Sequence, residues 1–270
     1  MKKKVAIVIP IYKPTLTQYE KVALDKCFSV LSNYPIIIVA PESLDLDQII
    51  SRQISAKIIR FPDLFFNGIA GYNHLMLSNL FYEAFTNYEY MLIYQLDAYI
   101  FEDELLEWCS RGYDYIGAPW IPAQKYEQAR YKYGLKLMNF FCRMSNIKTG
   151  AHNYYHVGNG GFSLRKVESF IRITSLEKER IAHYLSRKGS RFHEDVFWGV
   201  DIARRHKDFR VPAWKEALEF SFDVRPQLAY KYANNRLPIG CHGWYTQSHS
   251  PFWKKHIHDY PSRVRIQTAK

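Results

Sequence analysis

Two uninterrupted apolar runs lie near the beginning of the chain. Residues 5–9 (Val-Ala-Ile-Val-Ile) and 36–39 (Ile-Ile-Ile-Val) consist mainly of β-branched side chains, which is typical of strands buried on both faces. Between them, apolar residues recur with the spacing of an α-helix over residues 18–32. The pattern predicts a strand, a helix and a second strand, with a loop that begins at Pro10 after the first strand.

The same alternation continues to residue 101. Apolar runs predict a third strand around residues 58–61 and a longer strand in the run 91–101 that ends on Asp97, with a helix over 72–85 between them. Alternating strands and helices are typical of a parallel sheet covered by helices. We therefore expect an α/β fold, a single Rossmann-like domain with a mostly parallel central sheet flanked by helices.

The second half of the chain has a weaker pattern. Residues 121–156 are rich in Tyr, Lys and Arg, and we interpret them as a variable insertion. A glycine cluster at 158–161, a helix near 166–175 and short strands over 209–222 follow, and residues 251–270 form a basic tail. No repeat or low-complexity linker interrupts the sequence, which favours one domain followed by the tail.

Composition and charge narrow the classes of partner. The chain has 270 residues, 47% of them apolar, and its 21 Tyr exceed the needs of a core of this size, so some aromatic rings are expected to line a groove for rings or sugars. A net charge of +11 predicts an anionic partner, such as ligand phosphates, a nucleic acid or an acidic membrane surface. A basic surface without a partner is the alternative.

The cysteines and the apolar runs indicate the compartment. The four Cys are scattered, and none forms a Cys-x-x-Cys pair, so neither a zinc knuckle nor a disulfide framework is indicated. The first apolar run meets Pro10 too early for a signal peptide or a membrane span, and no later run is long enough for one. We expect a cytoplasmic protein, with peripheral binding to the inner face of the membrane through basic residues as a further expectation.

The apolar strand predicted in the run 91–101 ends on one carboxylate, Asp97. Asp97 lies where open α/β sheets place their ligands, and such an acid needs a cation, a donor or water. Gln95 and Asp97 occupy alternate positions, so their oxygens are able to face one hard divalent cation. The alternative is an Asp that caps a helix beginning near Glu102.

Three further features carry candidate chemistry, each with a structural alternative. Glu194 and Asp195 precede an apolar helical stretch, as expected of a general base or of a helix cap. The glycines at 158, 160 and 161 indicate a close approach to a ligand or an ordinary loop. His242 is a candidate metal ligand or a structural His. Motifs of P-loop, zinc-protease and serine-hydrolase sites do not occur in the sequence.

Four features, in order along the chain, resemble nucleotide-sugar-dependent glycosyltransferases of the GT-A fold, and among them a little-characterised family of bacterial and fungal glycosyltransferase-like domains. The resemblance covers about residues 4–246 and implies a GT-A domain over 1–250, with a nucleotide-sugar-binding half at about 1–120 and an acceptor-binding, catalytic half at 150–250. The features are residues 5–12 (Val-Ala-Ile-Val-Ile-Pro-Ile-Tyr), 94–99 (Tyr-Gln-Leu-Asp-Ala-Tyr), 158–165 (Gly-Asn-Gly-Gly-Phe-Ser-Leu-Arg) with 193–198 (His-Glu-Asp-Val-Phe-Trp), and 240–244 (Gly-Cys-His-Gly-Trp).

The resemblance implies a role for each matching residue. The Asp-x-Asp motif of the fold corresponds to Gln95 and Asp97, so its first acid is replaced here by an amide. The Asp that deprotonates the acceptor hydroxyl in inverting members corresponds to Asp195, with Glu194 beside it as the second catalytic candidate. The implied donor-binding residues are Pro10, Ile11, Tyr12, Glu42, Tyr72, Asn73, Gln95 and Asp97, the implied acceptor-binding residues are Gly160, Gly161, Phe162, Trp198 and Trp244, and the implied metal ligands are Asp97 and His242.

The implied activity is inverting transfer of a sugar from a nucleoside-diphosphate sugar, expected to be a UDP-sugar, to a hydroxyl of a glycan or glycolipid. The implied cofactor is Mn²⁺ or Mg²⁺, and the implied pathway is bacterial surface polysaccharide or lipopolysaccharide synthesis, with no nucleic-acid partner. Because Gln95 replaces an acid, a non-catalytic module that binds sugar nucleotides is an alternative function. Because of the charge and aromatic content, a nucleic-acid-binding or nucleotidyl-transferring protein is a further alternative. Nucleotidyl transfer, however, usually needs more carboxylates around its metal ions.

Overall fold

The computed structural model describes residues 2–47, 49, 56–128, 130, 131, 133, 134, 137, 141 and 153–261. In these residues a six-stranded sheet has the order β3-β2-β1-β4-β7-β6, and a three-stranded sheet has the order β5-β9-β8. The strands are β1 (Lys3–Pro10), β2 (Ile36–Pro41), β3 (Lys57–Phe61), β4 (Tyr88–Tyr94), β5 (Ala98–Ile100), β6 (Tyr115–Ile116), β7 (Phe162–Lys166), β8 (Ser221–Phe222) and β9 (Gly240–His242).

The larger sheet is mostly parallel, as predicted. β1 pairs in parallel with β2 and β4, and β2 pairs in parallel with β3. β7 pairs antiparallel with β4, and β6 pairs antiparallel with β7. Successive residues of β1 lie in different apolar clusters: Ile7 belongs to one and Val8 to the other. Both faces of the sheet are therefore covered, which explains the uninterrupted apolar run in this strand.

The run 91–101, interpreted as one strand that ends on Asp97, contains two strands in different sheets. β4 ends at Tyr94 and β5 begins at Ala98. The Ala98 N–H donates to the carbonyl of Gln95 at 2.8 Å and closes a turn between the strands. Asp97 therefore lies at the carboxyl end of β4, where the chain leaves the central sheet.

The helices have local sequence causes. Thr17 caps the first helix, since its hydroxyl accepts from the N–H of Glu20 and the Glu20 carboxylate accepts from the N–H of Thr17. The helix predicted over 72–85 is interrupted, because Ser78 ends one helix and caps the next. The α-helices are α1 (Gln18–Val30), α2 (Gly68–Met76), α3 (Asn79–Glu83), α4 (Leu105–Ser110), α5 (Val167–Leu176), α6 (Lys178–Leu185), α7 (Glu194–Val196), α8 (Ala203–Arg205), α9 (Trp214–Phe220), α10 (Pro226–Tyr232) and α11 (Ser250–Trp253).

Irregular helical segments complete the chain. A π-helix over Phe197–Ile202 connects α7 to α8, and such segments are frequent at functional sites. Short 3₁₀ helices cover Asp63–Phe66, Gln124–Glu127 and Ser190–Phe192. The short strands predicted over 209–222 are largely wrong, because α9 occupies most of that range and only β8 follows it.

Two sequence-based predictions fall largely or partly outside the described residues. These are the insertion at 121–156, with most of the basic residues between 125 and 148, and the end of the tail. None of the described helices is both long and apolar enough to cross a lipid bilayer.

Candidate active site

A cavity of about 330 Å³ lies at the carboxyl ends of β1 and β4. Its walls come from the loop after β1, the start of α1, the beginning of α2 and the turn after β4. Six of the eight predicted donor-binding residues line it, and Glu42 and Asn73 do not. The lining residues are Pro10, Ile11, Tyr12, Lys13, Leu16, Glu20, Phe66, Gly68, Ile69, Tyr72, Gln95, Leu96, Asp97 and Tyr245.

The cavity combines aromatic faces with charge. Tyr12 is 60% exposed at the wall, so its ring is open to a ligand. Tyr245 lines the same cavity and is held by stacking on Tyr19, with ring centroids 4.9 Å apart. The ammonium of Lys13 lies 2.7 Å from the carboxylate of Glu20. A flat ring therefore finds aromatic faces in this space, and the charge of Lys13 is paired with that of Glu20.

Asp97 contacts His242 across the junction of the two sheets. The His242 Nε2 lies 3.0 Å from Asp97 Oδ1, and its Nδ1 lies 3.4 Å from Asp223 Oδ1. Burial opposes protonation of the imidazole, but the two carboxylates outweigh it and raise the pKa of His242 to about 10. Burial likewise opposes ionisation of Asp97, but His242 outweighs it and holds the pKa of this carboxyl below its ordinary value.

The helix-capping alternative for Asp97 is wrong. The next helix, α4, begins at Leu105, and the carboxylate that accepts from its first N–H is that of Asp103, at 3.2 Å. Asp97 instead extends from the turn after β4, and its carbonyl accepts from the Gly243 N–H at 2.9 Å. The turn after β4 and the turn after β9 are therefore tied together at this point.

The donors around His242 are of the types that a divalent cation accepts. Asp97 Oδ1 and Gln95 Oε1 lie 3.0 and 3.3 Å from His242 Nε2, so two oxygens and one imidazole nitrogen converge. Asp223 faces the other ring nitrogen, as carboxylates do behind metal-bound His. No group of three His, Cys, Asp or Glu side chains in the described part of the chain is arranged to hold a metal, so the Gln95 amide would complete the set with one charge fewer than an acid.

A glycine pair joins this group to the predicted catalytic acids. A Cβ on Gly161 would lie 2.2 Å from His242 Nε2, and a Cβ on Gly160 would lie 1.7 Å from Glu194 Oε1. Both positions need glycine because side chains press directly on the backbone. Since adjacent Cα atoms are about 3.8 Å apart, the His242 group and the start of α7 flank one short piece of backbone. The loop before β7 therefore contacts both the His242 group and the start of α7.

Replacing Gly160 with Ala should destabilise the fold by about 1–3 kcal/mol, because the new methyl overlaps the carboxylate of Glu194. Urea unfolding followed by fluorescence measures the change. Gly134→Ala is the matched control: Gly134 is helical, and a Cβ there meets nothing within 4 Å, so that variant should be as stable as the parent or slightly more stable. Equal midpoints for the parent and Gly160→Ala would contradict the close packing of this loop.

Asp195 lies at the start of α7 and is partly exposed. Its Oδ1 accepts from the N–H of Val196 at 2.8 Å, and its carboxylate also accepts from the backbone N–H of Asn159 in the glycine loop. Burial raises the pKa of Asp195 to about 6, and the negative charge of Asp223 acts in the same direction. The hydrogen bonds oppose this rise. A carboxyl with such a pKa is suited to general-base chemistry near neutral pH.

Glu194 is oriented away from solvent, in contrast to its neighbour. Its Oε1 lies 3.0 Å from the guanidinium of Arg165, and both side chains are almost completely buried. Arg165 also donates to the hydroxyl of Tyr82 at 2.8 Å and to the carbonyl of Gly160 at 3.3 Å. The pair therefore ties α7 to β7 and to the glycine loop. Asn73 supports the same helix, because its Oδ1 accepts from the Glu194 N–H at 3.0 Å.

The remaining predicted residues lie outside the cavity. Phe162, Trp198 and Trp244 are completely buried in the core, and the proposed acceptor site below does not include their side chains. Trp244 donates through its indole N–H to the Ala98 carbonyl at 3.1 Å. Glu42 is exposed after β2, and its N–H donates to the Phe61 carbonyl.

Sequence reasoning missed two residues that organise the site. In the sequence, Arg165 was noted only as the last residue of the glycine-containing motif. The alternation of side-chain directions along β7 allows its cation to face the interior. Asp223 directly follows β8 (Ser221–Phe222), but that strand has only two residues and no long apolar run to mark its end. Both residues act through partners that are distant in the sequence.

Comparison with known proteins gives a family and a fold. The sequence model of a family described as a protein of unknown function (DUF5672) matches residues 55–242. No curated protein matches the chain. The structure of galactosyltransferase LgtC in complex with donor and acceptor sugar analogs has 14% identity and a TM-score of 0.53, over 92% of this chain and 94% of that chain.

Mouse xyloside xylosyltransferase 1 in its apo form has 12% identity and a TM-score of 0.51, over 92% of this chain and 99% of that chain. Such identities establish likeness of fold alone. The structural neighbours are GT-A glycosyltransferases, so the fold expected from the sequence resemblance is confirmed.

Proposed function

Since the chain belongs to the DUF5672 family of proteins of unknown function and has the GT-A fold, we propose that it is a glycosyltransferase that uses a nucleoside-diphosphate sugar. One observation carries the proposal. A cavity at the carboxyl ends of the strands has Asp97 and Gln95 in its wall. The glycine loop contacts Gln95 through Gly161 and binds the partly exposed carboxylate of Asp195 through the Asn159 N–H. One loop thus contacts both the wall of the cavity and the candidate base.

The donor is proposed to bind along the cavity. Its base stacks on the exposed ring of Tyr12, near Tyr245. Its diphosphate lies toward Asp97, Gln95 and His242, which would hold Mn²⁺ or Mg²⁺. Such a cation, when bound, neutralises charge on a diphosphate leaving group. A UDP-sugar is the donor that we propose to test first.

The reaction is proposed to be a single displacement with inversion. The Asp195 carboxylate accepts the proton of an acceptor hydroxyl as that oxygen bonds to the anomeric carbon. The bond from that carbon to the phosphate oxygen breaks, and its electron pair leaves with the nucleoside diphosphate. Glu194 does not contact substrate in this scheme, because Arg165 holds it in the interior. Its role is to fix α7.

The acceptor is proposed to be a glycan or glycolipid, as in the synthesis of a bacterial surface polysaccharide or lipopolysaccharide. The net charge of +11 supports phosphate binding, and it also supports peripheral association with the inner face of an anionic membrane. A cytoplasmic location is part of the same proposal, because nucleotide sugars and a membrane-bound acceptor meet there.

A non-catalytic sugar-nucleotide-binding module is the second candidate. Gln95 favours it, because an amide in place of an acid weakens cation binding by one charge. The raised pKa of Asp195 favours the enzyme, because a group poised near neutral pH beside a binding cavity is typical of active sites.

Calorimetry with UDP tests the proposal directly. We expect binding that Mn²⁺ strengthens, and Asp97→Ala should reduce the affinity in Mn²⁺ at least tenfold because the only acid among the three converging donors is lost. Asp25→Ala, which removes an exposed carboxylate from α1, should bind as the parent does. Absence of binding to UDP and to other nucleoside diphosphates, with and without Mn²⁺, would overturn the proposed function.

A further inference from the structure

Trp120 is partly exposed, whereas the two tryptophans implied for acceptor binding, Trp198 and Trp244, are not. Trp198 and Trp244 are completely buried, as are Trp108 and Trp253. Of the six Trp in the chain, Trp120 and Trp214 are the two that keep part of their surface open to solvent.

The indole of Trp120 lies against the glycine loop. A Cβ on Gly158 would lie 1.9 Å from its Cη2 and 2.1 Å from its Cζ2, so the ring packs directly on the backbone of that residue. The next residue, Asn159, donates its backbone N–H to the Asp195 carboxylate. One peptide unit therefore separates the residue that the indole contacts from the residue that binds the base.

The segment that carries Trp120 is fixed on both sides. The Trp120 N–H donates to the His156 carbonyl at 2.9 Å, next to a β-bridge between Pro119 and Val157. The guanidinium of Arg225 donates to the carbonyl of Ile121 at 2.6 Å. Such a ring loses little freedom when a ligand binds, because its backbone is already ordered.

The position of the ring separates it from the donor cavity. Trp120 is not among the residues that line the cavity beside Tyr12 and Asp97, and its indole packs on the glycine loop whose Asn159 N–H binds Asp195. A base must come within hydrogen-bond distance of the acceptor hydroxyl, so an acceptor bound to Asp195 lies close to this loop. The partly exposed indole of Trp120 offers an apolar surface beside the loop.

We propose that Trp120 is the platform on which the acceptor sugar stacks, so that the acceptor is a pyranose with an apolar face of C–H groups next to the attacking hydroxyl. This inference rests on the proposed glycosyltransferase function and adds to it the binding of the acceptor. Aromatic rings contribute large apolar area with few rotatable bonds. The polar edge of the sugar then faces Asp195.

Transfer kinetics with a UDP-sugar donor and methyl pyranosides of glucose, galactose and mannose test this inference. For the best of these acceptors, Trp120→Ala should raise the acceptor KM tenfold to a hundredfold, and Trp120→Phe should raise it less. The Kd of UDP and the rate of donor hydrolysis by water should stay within twofold of the parent, which also shows that the variant is folded. Tyr88→Ala, a half-buried aromatic residue at the opposite end of β4, should leave the acceptor KM unchanged.

The outcomes separate the two proposals. If the parent binds UDP and transfers sugar, and Trp120→Ala leaves the acceptor KM within twofold, the acceptor platform is wrong and the glycosyltransferase stands. If Trp120→Ala weakens UDP binding and the acceptor equally, the ring is structural and the inference is again wrong. If the parent neither binds nucleotides nor transfers sugar, both proposals fail together.

Discussion

Asp195→Asn should lower the kcat of sugar transfer by about 10²–10⁴-fold, the usual contribution of a positioned general base. The amide has nearly the same shape and keeps an oxygen that accepts from the Val196 N–H group. The fold and the affinity for UDP should therefore stay close to those of the parent. Initial rates with saturating donor and acceptor, together with calorimetry for UDP, measure both quantities.

The pH dependence of kcat/KM is an independent test of the role of Asp195. Burial raises the pKa of Asp195 to about 6, and a base acts in its ionised form. The kcat/KM of the parent should therefore fall about tenfold per pH unit below pH 6 and be level above it, and Asp195→Asn should lack that limb.

Asp208→Asn is the matched control for this substitution. It changes an exposed carboxylate that pairs with Arg172 at the surface, and it should retain the rate and the pH profile of the parent. A rate for Asp195→Asn within threefold of the parent would remove Asp195 from the mechanism, and with it the case for an inverting displacement.

Local pattern was sufficient for the part of the fold that positions the donor cavity. The apolar run of β1 and the capping residues of α1 are determined by neighbours in the sequence, and both were predictable. Asp97 was also found, because a carboxylate that ends an apolar run is conspicuous. The short strand β5 after Asp97 was not predicted, since no proline or glycine marks the turn between it and β4.

Contacts between distant parts of the chain explain the remaining differences. The sequence does not distinguish Trp120 from Trp198, because which indole faces solvent depends on how α7 and the π-helix pack on the sheet. It likewise gives Glu194 and Asp195 the same status, although Arg165 on β7 draws one of them into the interior. The roles of the two acids are therefore set by tertiary packing.

The buried ion pair leads to the largest stability effect that we expect. Arg165→Met removes the cation from the buried carboxylate of Glu194, whose second oxygen, Oε2, is also buried and has no hydrogen-bond partner among the described atoms. An uncompensated buried charge costs about 3–5 kcal/mol. Urea unfolding of Arg165→Met should show a loss of this size at pH 8.

The double variant Arg165→Met/Glu194→Gln separates charge from packing. With no carboxylate left to compensate, it should recover most of the lost free energy of unfolding, whereas a loss caused by packing alone would persist. Burial already raises the pKa of Glu194 against the opposing charge of Arg165, and without that cation the pKa rises further. The folded single variant then binds a proton that the unfolded chain releases, so its deficit should be smaller at pH 5 than at pH 8. A deficit that is equal at both pH values would show that Arg165 stabilises the site by packing and not by its charge.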